Sequence, residues 1–89
     1  MKKLIYKVPG GKLLKIKFEL DNANQFAGIE IRGDFFCYPE DAIFEIEKFL
    51  SGRENSKNTF DELEEFLNNK EIELFGFASE DLFNAINQN

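Results

Sequence analysis

The hydrophobic period of this chain changes once, at residue 33. Up to Gly33 apolar residues recur at every second position, and beyond it they recur at helical spacing. A period of two sends alternate side chains to opposite faces of a strand, whereas a period near 3.6 paints a stripe along one side of a helix. This change of period sets the fold expectation. It predicts an α+β fold with a small sheet first and helices after it.

Charge divides at the same place. Residues 1–33 hold seven Lys and Arg against three acids, a balance of +4. Residues 34–89 hold four against fourteen, a balance of −10, and together these give the net −6. An acidic total of this kind argues against a general nucleic-acid binder.

The sheet half reads as a three-stranded antiparallel meander. Leu4, Tyr6 and Val8 alternate with Ile5 and Lys7, and Pro9-Gly10-Gly11 then supplies a turn. Leu14, Ile16, Phe18 and Leu20 share one face of the next strand, with Lys15, Lys17 and Glu19 on the other. After the turn segment Asp21–Gln25, Ala27, Ile29 and Ile31 alternate with Gly28, Glu30 and Arg32. One face is apolar and the other mixed in charge, as in an antiparallel sheet covered on one side.

The second half predicts about three helices packed on one face of the meander. Pro39 suits a first helical position, followed by Glu40 and Asp41 and by a stripe of Ala42, Ile43, Ile46, Phe49 and Leu50 that stops at Gly52. Thr59-Phe60-Asp61-Glu62 matches a capping box for a helix presenting Phe60, Leu63, Phe66 and Leu67 and ending near Asn68-Asn69. Ile72 and Leu74 alternate with Glu71 and Glu73 in a short extended piece. Ser79 caps a last helix carrying Leu82, Phe83 and Ile86, and the tail Asn87-Gln88-Asn89 is expected to fray. Helices laid on the apolar face leave the face with Lys15, Lys17 and Arg32 open to solvent or a partner.

The inventory narrows the chemistry. Eighty-nine residues make one domain, 1–89, whose folding buries only about 60–65% of the surface that the unfolded chain exposes. Without His there is no His-based triad, imidazole ligand or imidazole proton shuttle. The lone Cys37 excludes an internal disulfide and a Cys-type zinc site, and fits a reducing cytosol. No apolar run nears the roughly 18 residues of a membrane span, and Met1–Lys7 lacks the apolar region and cleavage site of a signal peptide. The expected location is cytoplasmic, with no membrane or nucleic-acid partner.

Two segments invite functional readings. Val8-Pro9-Gly10-Gly11-Lys12-Leu13 has glycines and a cation but lacks the Ser or Thr, the preceding Gly and the following helix of a phosphate loop. It reads as a hairpin turn with Lys12 exposed. Gly33-Asp34-Phe35-Phe36-Cys37-Tyr38-Pro39-Glu40 joins sheet to helix. Adjacent Phe35 and Phe36 cannot both enter one face, so one packs beneath the helix while the other looks elsewhere. This is either an aromatic crossover, with Asp34 accepting backbone hydrogen bonds, or an anchor for another protein. Cys37 has no cation beside it in sequence and reads as a packed thiol. Glu45, Glu47, Glu62, Glu64 and Glu65 lie at helix-surface spacing, which suits a solvated face better than a metal cluster.

Three stretches taken together resemble a known family: Lys7–Lys15 with its Val8-Pro9-Gly10-Gly11-Lys12 turn, Ile31–Phe36 with Tyr38-Pro39-Glu40, and Ser79-Glu80-Asp81-Leu82 with Ala85-Ile86. Their order and spacing are similar to the C-terminal accessory domain of lipoate–protein ligases, which in some archaea is a separate small subunit. The resemblance spans roughly residues 5 to 87. It implies a heterodimer with a catalytic subunit that uses ATP, Mg and lipoate to form lipoyl-AMP, releases pyrophosphate, and then lipoylates a lysine of an acceptor domain. It further implies that the adenylate site and catalytic lysine lie on the large subunit. This chain then holds no catalytic residue, no metal and no cofactor of its own.

Within that picture Lys12, on the Gly10-Gly11 turn, is placed near the nucleotide, and Arg32, Asp34, Phe35 and Phe36 form part of the subunit interface. Iron–sulfur scaffold accessory proteins share this type of fold. The alternative is therefore a stand-alone scaffold or sulfur-transfer protein with Cys37 as acceptor.

Overall fold

The computed structural model describes residues 1–88. Three strands, β1 (Lys2–Lys7), β2 (Leu13–Leu20) and β3 (Phe26–Gly33), form an antiparallel sheet in the order β1-β2-β3. Leu14 pairs with Tyr6, and Ile16 with Leu4 and Ile31. The even positions of β2 (Leu14, Ile16 and Phe18) face inward and are buried, while Lys15, Lys17 and Glu19 are exposed. Helices α1 (Ala42–Leu50), α2 (Lys57–Asn69) and α3 (Ser79–Ile86) cover the apolar face. Ala42, Ile46, Leu50, Leu63 and Leu82 from these helices are buried with Leu14, Ile16 and Ile31 in one core.

β3 carries a bulge that changes its inner residues. Glu19 pairs with Gly28 but Leu20 pairs with Phe26, so Ala27 is the extra residue. Ala27, expected inside, is exposed, and Phe26 is buried instead, edge-on to Phe18 at 6.3 Å and to Phe60 at 6.2 Å. The outer edge of β3 is closed by α1. One Glu47 carboxylate oxygen accepts from the Ile31 N–H and from Arg32 Nη1, both at 2.7 Å. An edge amide that would otherwise face solvent is thereby satisfied.

Two short strands lie outside the meander: β4 (Phe36–Tyr38) and β5 (Glu73–Phe75) pair antiparallel as a separate ribbon. The crossover aromatics therefore form a strand, and the extended piece around Leu74 is its partner.

Helix starts also differ from the sequence expectation. α1 begins at Ala42, with Pro39 three residues earlier in a turn closed by Ala42 N–H to Pro39 O at 3.0 Å. α2 is capped by Ser56, whose Oγ accepts from the Thr59 N–H at 3.3 Å. Thr59 is buried in the first turn, and Glu62 is turned toward Arg53 at 3.7 Å. α3 is capped at Ala78, whose N–H donates to Asp81 Oδ2 at 2.7 Å. Ser79 is buried and its hydroxyl donates to Glu64 of α2. Asn87 does not fray: its side-chain amide pairs reciprocally with that of Asn55 at 3.0 Å in each direction. Asn89 lies outside the described residues.

Candidate functional site

Three connections meet at one end of the molecule. The β1–β2 turn comes first. Val8 N–H donates to Lys12 O at 3.0 Å and Gly11 N–H to Val8 O at 2.9 Å, and the Lys7 ammonium crosses the turn to the carbonyls of Val8 and Gly11. The β3–β4 junction joins it where Asp34 N–H donates to Leu13 O at 3.2 Å. The β5–α3 connection completes the cluster, with Lys12 N–H donating to Gly76 O at 3.0 Å. Stretches 7–15 and 31–40 of the resemblance and the segment entering α3 are thus tied to one another by backbone hydrogen bonds.

Gly76 lies at the centre of this cluster. Its φ of +103° suits glycine, and a Cβ there would lie 2.5 Å from Lys12 Cγ and 3.5 Å from Phe35 Cβ. The Lys12 stem and the Phe35 side chain therefore flank one glycine. Lys12 is exposed, and among the described residues its ammonium has neither a hydrogen bond nor an ion pair. The Gly11 and Lys12 N–H groups are bonded within the chain and so are not free to cradle a phosphate. What the turn presents outward is one ammonium.

The two phenylalanines separate as the alternation requires. Phe35 is half-buried and stacks on Phe77 with ring centroids 4.6 Å apart, while Phe36 is 74% exposed. Phe36 pairs with Phe75 and Tyr38 with Glu73 across the ribbon, so Phe36, Tyr38 and Phe75 stand on its outer face, 74, 66 and 50% exposed. Sequence reasoning missed Tyr38 and Phe75 as members of this surface. The signal was present, since continuing the Glu71, Glu73 alternation by one step puts Phe75 on the exposed side.

The remaining expected site residues are placed as follows. Asp34 is exposed at the junction. Arg32, at the end of β3, is held by Glu47 at 2.7 Å and lies 3.8 Å from Glu30, with Phe44 beneath its guanidinium at 5.7 Å. Cys37 is on the inner face of the ribbon opposite Leu74, half-buried, with its thiol directed to Glu40 O at 3.3 Å. Among the described residues no three His, Cys, Asp or Glu side chains are grouped to hold a metal ion. No helix among them is long and apolar enough to cross a membrane.

No protein-family model matches the chain, and neither does any curated protein. A solved structure of an archaeal lipoylation system from Thermoplasma acidophilum, a bi-partite lipoate protein ligase and its E2 lipoyl domain, contains a chain 29% identical to this one. The two superpose with a TM-score of 0.81 over 100% of this chain and 97% of that one. This likeness runs the whole length of the chain and bears out the resemblance to the lipoate–protein ligase accessory domain.

Proposed function

We propose that residues 1–89 act as one accessory domain, the non-catalytic small subunit of a two-component lipoate–protein ligase of the cytoplasm. The observation that supports this most is the end-to-end likeness to a chain of the Thermoplasma lipoylation system, of nearly equal length. The gathering of the glycine turn, the Gly-Asp-Phe-Phe junction and the segment before α3 at one end adds a local reason. Fold likeness alone does not carry function, and the exposed Lys12 beside the ribbon aromatics is the local feature that this reading uses.

In this reading the catalytic subunit binds ATP, Mg and lipoate and forms a heterodimer with this chain, which meets lipoyl acceptor domains only through the complex. Attack of the lipoate carboxylate on the α-phosphorus builds negative charge on the phosphate oxygens as pyrophosphate leaves. The free Lys12 ammonium, held out by its stem against Gly76, supplies a positive charge at that point. The ribbon face with Phe36 and Phe75, together with Asp34 and Arg32, seats on the subunit and helps exclude water from the labile mixed anhydride.

The test is reconstitution. The purified chain is mixed with the catalytic subunit, and lipoate-dependent pyrophosphate release is followed. Release only from the mixture supports the reading, and lipoylation of an acceptor by this chain alone overturns it. The Cys37 acceptor reading gains no support from a thiol that faces inward to a backbone carbonyl.

A further inference from the structure

Resting on the reading above, we propose that the open face of the β1–β2–β3 sheet docks an acidic patch of the catalytic ligase subunit. The register places Lys3 directly opposite Lys17, and Lys15 directly opposite Arg32. Like charges directly opposite one another weaken a sheet. Arg32 is neutralised by Glu47 and Lys17 also stands opposite Glu30 of β3, but Lys3, Lys15 and Lys17 have no carboxylate within ion-pair distance among the described residues. Most of the chain's acids lie beyond the sheet: residues 34–89 carry −10, while the strands themselves hold Glu19 and Glu30 among the cations. The opposed pairs Lys3–Lys17 and Lys15–Arg32 are a local repulsion that an acidic partner surface relieves.

The shape of the face selects a protein over other polyanions. Lys3, Ile5, Lys15, Lys17, Glu30 and Arg32 line one shallow trough. Ile5 is 65% exposed and sits opposite Lys15, so apolar surface lies among the cations. A protein patch uses both, whereas a phosphate backbone or lipid headgroup uses only the charge. With cations on the sheet and acids on the helices behind it, the chain approaches an acidic surface sheet-first.

The experiment is titration calorimetry of the chain with the catalytic subunit, at about 0.1 M and about 1 M salt, between which the screening length falls from about 10 Å to about 3 Å. Affinity should drop with salt, and Lys15→Glu should weaken binding about tenfold at the lower salt. The same substitution faces Arg32 with a carboxylate, so its melting temperature should stay level or rise, which separates docking from folding. The single neutralisation Lys3→Gln relieves the opposed lysines while leaving Lys17 opposite Glu30, and should likewise weaken binding without loss of stability. Association indifferent to salt and to these substitutions overturns the docking surface while leaving the proposed function intact. Tighter binding to phosphatidylserine vesicles than to the subunit, or salt-sensitive self-association, also overturns it. Failure of the wild-type chains to associate at all overturns the function and this surface together.

Discussion

Gly11 packs against the backbone of Gly76 so closely that a Cβ on Gly11 would lie 2.5 Å from the Gly76 carbonyl oxygen and 2.8 Å from Val8 Cγ1. The contact fastens the β1–β2 turn to the segment entering α3. Gly11→Ala is expected to cost about 1–3 kcal/mol, since backbone must move to admit the methyl group. Gly10, one residue earlier, has a φ of +71° with nothing within 4 Å of its Cβ position. Gly10→Asn, which tolerates that backbone conformation, should be nearly neutral. Thermal melts of the two variants check the contrast.

Phe35 and Phe36 should respond in opposite ways to truncation. Phe35→Ala removes the stack on Phe77 and is expected to destabilise the chain by about 2–3 kcal/mol. Phe36→Ala removes an exposed ring and should leave folding within about 0.5 kcal/mol of wild type. It should weaken association with the catalytic subunit by about 2 kcal/mol, as loss of an aromatic anchor does. Chemical denaturation and binding measured on the same samples separate the two effects.

Lys12 gives a test of chemistry rather than docking. Lys12→Ala and Lys12→Met are both expected to lower lipoyl-AMP formation about a hundredfold or more, the scale of losing one stabilising donor. Transfer from preformed lipoyl-AMP should be nearly unchanged. Lys12→Met keeps a stem over Gly76, so equal losses in both variants assign the effect to the ammonium. Equal slowing of activation and transfer would count against the assignment.

Cys37→Ser should be silent in the reconstituted reaction. The serine hydroxyl can donate to Glu40 O as the thiol does, and the stability change should stay within about 1 kcal/mol. Loss of activity in a folded Cys37→Ser chain would revive the sulfur-acceptor reading.

The alternation in β2 and the stripes of α1 and α2 were legible in the sequence because each is a local period with one buried face. What was not legible depended on events that no period records. The bulge at Ala27 exchanges one residue's facing for another's, so Phe26 went unnoticed as core. The cap of α2 lies three residues before Thr59 because Ser56 is equally able to cap, and choosing it buries Thr59 against the core. The ribbon joins Phe36 to Phe75 across nearly half the chain, and such non-local pairing leaves no mark on short-range spacing. For the same reason the sequence pointed to Phe36 as one of two neighbours facing apart, but not to the aromatic face that Phe36 shares with Tyr38 and Phe75.

The most direct measurement is the rate of pyrophosphate release from ATP and lipoate by the catalytic subunit, with and without this chain, beside the rate of lipoyl transfer from preformed lipoyl-AMP. We expect the chain to raise the first rate severalfold or more and to leave the second nearly unchanged. A catalytic subunit that activates lipoate equally well without it would contradict the central claim that this chain completes another protein's site.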